Sequence, residues 1–487
     1  MLIGLTLAAD SIKSIVPCTL LSASMVPFAT CSIAIGGISW FIPQKLAQKL
    51  DNALYKSYMR LCLFVFENLS GVEIRIHGEM SILDGKLVEN CVILSNHQSN
   101  VDWIIPVMLA ARHGPGGNEQ SFRVMVKKSI HFVPLFGWYI FQHGYIYVRR
   151  FGEFIGEPVL RQLKWLNDTI PPYWLLIFPE GTRLSAKKTK LIEESCRFLE
   201  KNGRPEMRNV LCPRSGGLQL ALDNLQTLDA IYDLTVMYGQ TRQPNRRAIA
   251  PGMLEFCCGP SEFKTLDIKI ERFGVNEIPK EKTKLREWTI DRFAEKEKVL
   301  NDFYTSTSSP PGLILPTIPI STTLPSTIFF VSALILPIFS EKVRRTYIWT
   351  IASSPLLIIC KSKPPPFGGL VFVMDISRQN PPQNVVSVTQ HNTVETNLFI
   401  LLLILAWFIT FTFRRQIRNP MVHCATIIGI VIAVCTNPRH VHEINDFTGE
   451  FIKGMLPLMI LFLMIELQRA SRRPILPATS MQQGTNN

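Results

Sequence analysis

The cysteines of this sequence lack the regular spacing of metal-binding motifs. Its eleven cysteines contain no Cys-x-x-Cys spacing, and several lie in apolar runs, such as Cys18, Cys31, Cys360 and Cys435. Zinc sites and disulfide frameworks depend on regular cysteine spacing, whereas an isolated cysteine in an apolar run behaves as a small hydrophobic residue. We therefore expect free thiols facing a reducing compartment, and neither disulfides nor zinc ligands.

Charge is missing from long stretches of the chain. No charged residue lies between Lys13 and Lys45, and 47% of all residues are hydrophobic, which predicts a membrane protein. The uncharged stretch is ample for one span of about 20 residues, or for a bent hairpin. A cleaved signal peptide has a shorter apolar core and a basic start, so it is disfavoured. Lys45, Lys49, Lys56 and Arg60 follow, and this basic side would place the next domain in the cytosol.

Acidic residues are outnumbered by basic ones. The net charge is +13, which suits anionic lipid head groups or phosphorylated substrates. The chain has no recognisable nucleic-acid-binding module, so no nucleic acid partner is expected. Residues 112–150 carry six Lys or Arg against the single acid Glu119, with aromatic residues between them. This stretch could bind a phosphorylated lipid at the bilayer surface, or it could be a solvated face beside a core element.

The segment 45–69 has an amphipathic pattern. Two interpretations stay open, because a helix lying on the membrane surface and a helix of the protein core both produce such a pattern. The apolar positions near one helical face are Leu46, Leu50, Leu54, Tyr58, Leu61 and Val65.

Residues 71–304 alternate short apolar runs with polar or helical stretches. That alternation predicts an α/β catalytic domain with a largely parallel sheet and covering helices, in which active groups gather at the strand ends. Residues 280–304 have alternating charges and predict an exposed helix that closes the domain. The candidate strands are residues 72–76, 92–95, 123–126, 145–148, 175–178, 210–213 and 234–238.

Beyond residue 306 the composition changes to apolar runs separated by basic clusters. The runs 396–413 and 420–438 predict membrane spans, the run 311–340 is long enough but contains several prolines, and the runs 346–360 and 454–465 are short. Because the basic clusters cannot all be cytosolic if every run spans once, the topology stays open. The expected layout is an N-terminal span and amphipathic helix (1–70), the catalytic domain (71–304), membrane segments (305–363), a linker (364–397) rich in Pro, Gln and Asn, and a C-terminal membrane region with a polar tail (398–487).

The first reactive stretch is Asn-His-Gln-Ser-Asn-Val-Asp-Trp at residues 96–103, which follows the apolar run 91–94. A short apolar run closed by Ser-Asn predicts a buried strand that delivers the next residues to a loop. There His97 could take a proton from a hydroxyl, and Asp102 could fix its tautomer. No Gly-x-Ser-x-Gly elbow occurs, so the hydroxyl is expected to belong to the substrate. A His and an Asp five residues apart can also be unrelated.

A second apolar run, residues 175–178, is followed at once by Pro-Glu-Gly-Thr-Arg. A strand and tight turn that present a carboxylate, a hydroxyl and a guanidinium predict an anion site, because arginine matches phosphate with a forked pair of hydrogen bonds. By itself, the segment could also be only a charged turn.

Together, Asn-His-x4-Asp and Phe-Pro-Glu-Gly-Thr-Arg resemble the glycerolipid acyltransferase family, the 1-acylglycerol-3-phosphate acyltransferases. The stretch from Lys127 to residue 149, the Pro213 segment and residues 229–235 add to the resemblance and look most like the epsilon branch, which is close to the lysocardiolipin acyltransferases. The resemblance covers roughly residues 15–363. One departure is Leu184, which follows Arg183 where many relatives have serine.

This resemblance implies transfer of a fatty acyl group from acyl-CoA to the free hydroxyl of a lysophospholipid, with 1-acylglycerol-3-phosphate as the expected acceptor and phosphatidic acid as the product. His97 would be the general base and Asp102 would orient it. No metal or bound cofactor is implied, since acyl-CoA is a co-substrate. The residues expected to bind substrate are Glu180, Gly181, Thr182, Arg183, Lys127 and Arg149.

Two kinds of alternative stay open. The acceptor could be another lysophospholipid, such as lysocardiolipin or lysophosphatidylinositol, and a non-enzymatic chain could be a membrane scaffold or a lipid transporter. The expected location is the endoplasmic reticulum membrane, with a mitochondrial membrane as the alternative and the catalytic domain in the cytosol.

Overall fold

The computed structural model describes residues 2–359, apart from residues 84, 87, 129, 131–134, 149–155, 170–171, 186–187, 244–245, 259–263 and 307–310. The strands within these ranges are β1 (Glu73–Gly78), β2 (Cys91–Ser95), β3 (Phe122–Lys127), β4 (Ile146–Val148), β5 (Trp174–Ile177), β6 (Ala230–Tyr238), β7 (Arg242–Gln243), β8 (Arg246–Arg247), β9 (Thr265–Gly274) and β10 (Leu313–Leu315). The helices are α1 (Leu2–Ile38), α2 (Gln44–Leu63), α3 (Ile104–Ala110), α4 (Phe136–Gln142), α5 (Gly156–Asn167), α6 (Thr189–Lys201), α7 (Gly216–Asn224), α8 (Met253–Cys258), α9 (Lys282–Thr305), α10 (Ile320–Phe339) and α11 (Glu341–Ile359).

One sheet carries eight of these strands in the order β10-β1-β9-β6-β2-β5-β3-β4. From β6 to β4 every neighbouring pair is parallel, and β1 is parallel to β9. In contrast, β9 runs antiparallel to β6, and β10 runs antiparallel to β1. The sheet is therefore mixed and covered by helices. The expectation of a largely parallel sheet fits the part that carries the two motifs.

One predicted strand is wrong, because residues 210–213 form no strand. The main-chain N–H of Val210 donates to Oε2 of Glu297 at 3.1 Å, and that of Leu211 donates to Oε2 of Glu180 at 3.0 Å. A strand would donate such groups to a neighbouring strand. Side-chain carboxylates, the partly exposed Glu297 and the buried Glu180, accept from this segment instead, so it runs irregularly past the end of β5.

Strand β9 was missing from the expected strands, although it is ten residues long. Its Leu266, Ile268 and Ile270 are fully buried, and charged residues alternate with them along the sequence. Alternation is typical of a strand with one buried face. A search for uninterrupted apolar runs finds buried parallel strands and overlooks this type.

Strands β2 and β5 lie in the hydrophobic core of the sheet. Strands β2 and β5 are buried at every position, and their Val92 and Leu175 belong to a cluster with Leu163 of α5, Leu218 of α7 and Leu285 of α9. Burying one such side chain contributes roughly 1.5–3 kcal/mol. The loops that follow β2 and β5 therefore start from a rigid base.

Helices α1, α2, α10 and α11 pack against one another. Helix α2 buries Asp51 and Tyr55, whereas Leu46 and Leu50 are exposed. Helix α2 therefore packs against the protein through a partly polar face, and Leu46 and Leu50 of the expected apolar face are left exposed. The reason is a polar contact, since Oδ2 of Asp51 lies 2.6 Å from Nδ1 of the buried His143.

Two helical segments in the described ranges are long and apolar enough to cross a membrane. They are Thr19–Ile38 within α1 and Ile320–Phe339, which is α10. Both are identified by length and composition alone. Of the apolar window in the α1 segment, 56% is buried inside the protein, against 22% of the window in α10. The expected run 346–360 coincides with most of α11. The runs 396–413, 420–438 and 454–465, the linker and the C-terminal membrane region lie outside the described residues.

Candidate active site

Three neighbouring parallel strands end at this site. Strand β2 pairs with β5 on one side and with β6 on the other. The carboxyl ends of adjacent parallel strands lie at the same edge of a sheet, where ligands bind in open α/β folds. The loop after β2 therefore meets the turn after β5, as the sequence predicted for the two motifs.

The imidazole of His97 contacts the carboxylate of Asp102. Nδ1 of His97 lies 2.8 Å from Oδ2 of Asp102, and the Asp102 side chain is fully buried while that of His97 is 21% exposed. The same oxygen accepts the main-chain N–H groups of Gln98 at 2.7 Å and Ser99 at 2.8 Å. The hydroxyl of Tyr238 donates to the other oxygen, Oδ1, at 2.5 Å. A carboxylate with four donors keeps the proton of His97 on Nδ1 and leaves Nε2 as the acceptor.

The peptide of His97 is held by the second motif on both of its polar groups. Its N–H donates to Oε1 of Glu180 at 2.6 Å, and its C=O accepts the N–H of Leu184 at 2.8 Å. The ring of Phe178 stacks on the imidazole, with centroids 4.1 Å apart and planes at 19°. Leu184 acts here through its main chain and is buried, so the absence of serine at this position leaves the contact intact.

The structure gives Glu180 a different place from the one expected. Its side chain is buried, and its two oxygens accept the N–H groups of His97 and Leu211. Burial raises the pKa of Glu180 to about 8, although both of these donors act in the opposite direction. A buried carboxyl with both oxygens engaged cannot contact a phosphate in solvent. Glu180 therefore joins the His97 loop to the irregular segment 210–213, whereas the sequence had placed it among the residues expected to bind the acceptor's phosphate.

The rest of the turn is accessible. Gly181 has a φ of +65°, which glycine adopts without steric cost, and Thr182 and Arg183 are partly exposed. Arg214 crosses this turn, because its N–H donates to the carbonyl oxygen of Pro179 at 2.9 Å and a Cβ at Gly181 would lie 3.9 Å from its Cδ. The exposed Arg214 thus adds a second guanidinium beside the one in the motif.

Lys127 and Arg149 were also expected to bind substrate. Lys127 is the last residue of β3 and is partly exposed. Because β3 is parallel to β5, Lys127 lies toward the same edge of the sheet as the two motifs. Arg149 lies outside the described residues.

Sequence reasoning missed several residues that brace the His97 loop. Oδ1 of Asn96 accepts the N–H of Val236 at 2.8 Å, and Nδ2 of Asn96 donates to the carbonyl oxygen of Val236 at 3.0 Å, so a side chain extends the β2–β6 ladder. Oε1 of Gln98 accepts hydrogen bonds from Arg247 and Tyr304. In the sequence, the feature that could have pointed to Asn96 and Gln98 is that they are the immediate neighbours of His97.

No group of three His, Cys, Asp or Glu side chains that could hold a metal ion occurs within the part of the chain that the structure describes.

Two protein-family models match parts of this chain. Residues 73–239 match the family model described as Acyltransferase, and residues 260–330 match the one described as Acyltransferase C-terminus. The chain is 34% identical over 365 residues to the 1-acyl-sn-glycerol-3-phosphate acyltransferase epsilon of Mus musculus, covering 73% of this chain and 98% of that relative. The chain belongs to the glycerolipid acyltransferase family. It is an acyltransferase, as its two motifs predicted.

Other similar proteins come from plants and vertebrates. The acyltransferase is 31% identical to the probable 1-acyl-sn-glycerol-3-phosphate acyltransferase 5 of Arabidopsis thaliana, over 54% of this chain and 65% of that relative. It is 28% identical to lysocardiolipin acyltransferase 1 of Danio rerio, over 52% of this chain and 62% of that relative. Among solved structures, the LPA acyltransferase PlsC of Thermotoga maritima is similar with a TM-score of 0.36 and 16% identity, covering 62% of this chain and all of PlsC. That likeness is distant, so the family assignment rests on the sequence relatives.

Proposed function

We propose that this acyltransferase moves a fatty acyl group from acyl-CoA to the free hydroxyl of 1-acylglycerol-3-phosphate, giving phosphatidic acid and CoA. The observation that supports this most is the contact between Nδ1 of His97 and Oδ2 of Asp102 at 2.8 Å. It leaves the partly exposed Nε2 as a base beside an arginine-bearing turn.

The proposed reaction is a direct transfer. The acceptor's hydroxyl oxygen attacks the thioester carbonyl carbon, and Nε2 of His97 takes the hydroxyl proton as the new C–O bond forms. The C–S bond then breaks, and the proton passes from His97 to the departing CoA sulfur. Asp102 stabilises the imidazolium in between, and no acyl-enzyme is needed. A positioned base of this kind contributes roughly a hundred to ten thousandfold in rate.

Recognition of the acceptor's phosphate is assigned to the accessible part of the second motif. Arg183 offers a planar fork of donors, Gly181 lets the phosphate approach the main chain, and the hydroxyl of Thr182 can donate one more hydrogen bond. Arg214 crosses the same turn and would add charge to the pocket. Lys127, at the same edge of the sheet, is a further candidate for either substrate's phosphates.

The acceptor is a lipid, so we also propose a membrane location. Helix α10 is apolar and exposes Ile328, Phe329, Ile335 and Phe339, and exposed apolar patches of this kind mark interaction surfaces, including membrane contacts. Together with the Thr19–Ile38 segment, this surface supports an integral membrane enzyme. We assign it to the endoplasmic reticulum membrane, with the catalytic domain in the cytosol.

Similarity to the lysocardiolipin acyltransferases favours a second acceptor class. In that case the same dyad would acylate lysocardiolipin, or lysophosphatidylinositol, and the arginine turn would bind a phosphodiester. A non-catalytic scaffold or transporter would not require a buried Asp102 that is held by four donors beside His97.

An acceptor panel tests the proposal. Purified full-length enzyme in detergent is assayed with acyl-CoA donors of several chain lengths and with lysophosphatidic acid, lysocardiolipin, lysophosphatidylinositol and monoacylglycerol. We expect the highest kcat/KM with lysophosphatidic acid and poor use of monoacylglycerol, which lacks the phosphate. A preference for lysocardiolipin or lysophosphatidylinositol would replace the acceptor, and no transfer to any acceptor would overturn the enzymatic proposal.

A further inference from the structure

Tyr238 is the last residue of β6, the strand that pairs with β2 on the side away from β5. Its side chain is buried, and its ring packs edge-on against Phe256 of α8, with centroids 6.1 Å apart. The hydroxyl donates to Oδ1 of Asp102 at 2.5 Å. The tyrosine therefore contacts the carboxylate from the side opposite His97.

The two oxygens of Asp102 have unequal surroundings. Oδ2 accepts from Nδ1 of His97 and from two main-chain N–H groups, whereas Oδ1 accepts from the hydroxyl of Tyr238. Without that hydroxyl, Oδ1 would be a buried charged oxygen lacking its donor. A buried charged oxygen without a donor is unfavourable, so the carboxylate would turn toward any other donor it can reach. The orientation of the Asp102 carboxylate, and with it the His97 ring, thus depends on Tyr238.

We propose that Tyr238 is a positioning residue of the acyl transfer, which holds Asp102 in register with His97 and moderates the negative charge that the imidazole meets. The proposal rests on the proposed function, since it requires His97 to act as the base. It assigns no contact between Tyr238 and the substrate.

Loss of the Tyr238 hydroxyl changes the negative charge that the imidazole of His97 meets. The hydroxyl's hydrogen bond stabilises the carboxylate and disperses part of its charge, so its loss leaves a more negative neighbour for the imidazole. A more negative neighbour favours protonated His97. The acid limb of kcat/KM, which reports the protonation of the base in the free enzyme, would then move to higher pH.

Other charged and titratable groups around the pair come from different elements. Glu180 from the turn after β5 and Arg247 from β8 act electrostatically on one another, and Asp102 acts on Glu180. Tyr304 of α9 acts on Tyr238. Burial raises the pKa of Glu180 to about 8 and raises that of Tyr238 well above its usual value. Glu180 is the same in the parent and in every Tyr238 variant, so a difference between their acid limbs reports the changed hydroxyl.

The same strand offers a matched control. Tyr232 is also buried on β6, and its hydroxyl donates to a carboxylate oxygen, Oε2 of Glu89, at 2.6 Å. It precedes Tyr238 by six residues, roughly 20 Å along a strand. Each substitution deletes a hydrogen bond from a buried tyrosine to a carboxylate oxygen. Oε2 of Glu89 also accepts from Nε of Arg272, so Tyr232→Phe should cost no more stability than Tyr238→Phe. A difference in catalysis between them then reports position in the site.

The experiment compares Tyr238→Phe with Tyr232→Phe in the full-length enzyme, with lysophosphatidic acid and acyl-CoA as substrates. We expect Tyr238→Phe to lower kcat about tenfold, as loss of one hydrogen bond to a charged group would. We also expect its acid limb to move to higher pH. Tyr232→Phe should leave kcat within about twofold and the limb in place. If Tyr238→Phe keeps the parental limb, whether or not its kcat falls, the positioning role is overturned.

A second variant covers the case in which Tyr238→Phe does not fold. Replacing Tyr238 with 3-fluorotyrosine keeps the ring and hydroxyl but makes the phenol a stronger donor, so the acid limb should move to lower pH. An unchanged limb in that variant would also overturn the proposal. An inactive parent enzyme would instead reject the proposed function, which separates the two failures.

Discussion

The main-chain N–H of His97 donates a hydrogen bond to Oε1 of Glu180 over 2.6 Å. This bond joins the motif that carries the base to the motif that carries Arg183. Because Oε2 of the same carboxyl accepts the N–H of Leu211, one buried side chain fixes three segments of the site. Glu180 is thus a support for the loop that carries His97.

Glu180→Gln should mainly lower kcat. An amide has one acceptor oxygen, so its NH2 group would face either the N–H of His97 or that of Leu211, and that loop would shift. Loss of such a buried hydrogen bond costs about 1–3 kcal/mol, or roughly tenfold or more in rate. Steady-state kinetics measures this. A large rise in the KM for lysophosphatidic acid with unchanged kcat would restore Glu180 as a direct phosphate ligand.

The raised pKa of Glu180 predicts a pH dependence of stability. The folded value of about 8 lies above the ordinary 4.5, so the contribution is fully present below 4.5 and is lost as pH rises through 8. Between about pH 4.5 and 8 the Tm of the parent should therefore fall relative to that of Glu180→Gln, whose amide does not titrate. Thermal unfolding of both proteins in one detergent provides the comparison. Parallel curves would contradict the raised pKa.

Arg183→Lys should weaken acceptor use selectively. Lysine keeps the charge but loses the planar fork, so the KM for lysophosphatidic acid should rise about tenfold, the value of one good hydrogen bond to a charged group, while the KM for acyl-CoA stays nearly unchanged. The control is Arg208→Lys, an exposed arginine whose ion-pair partner is Glu206. A raised KM for acyl-CoA alone would move Arg183 to the donor site.

Deleting residues 364–487 should leave acyl transfer measurable, because every residue assigned to the site precedes residue 364. The assay compares the truncated and full-length enzymes in the same detergent, with circular dichroism as the check on folding. Complete loss of transfer in a folded truncation would show that the C-terminal region belongs to the active unit.

The sequence predicted the parts of the fold that rest on uninterrupted apolar runs. Strands β2 and β5 were found because each is buried on both faces, and their neighbouring carboxyl ends placed the two motifs together. The hydrophobic pattern could not reveal that Val210, Leu211 and Cys212 donate their N–H groups to side chains. It also could not reveal the burial of Glu180, since a carboxylate in a polar turn usually faces solvent.

Tyr238 illustrates the limit for the site itself. The strand that contains it was predicted, and its position at a strand end was therefore available from the sequence. However, a tyrosine at the end of an apolar strand is typical of a core residue, and only the parallel pairing of β6 with β2 brings its hydroxyl to Asp102. Long-range pairing of this kind leaves no local signal.

The most direct test of the account is the turnover of His97→Ala beside that of His77→Ala. His77 also pairs with a buried aspartate, since its Nε2 lies 2.8 Å from Oδ1 of Asp267, but that pair joins β1 to β9, away from the two motifs. With lysophosphatidic acid and acyl-CoA, His97→Ala should lose roughly a hundred to ten thousandfold in kcat, the contribution of a positioned base. His77→Ala should retain most of the parental rate. Turnover by folded His97→Ala close to that of His77→Ala would contradict the assignment of His97 as the base.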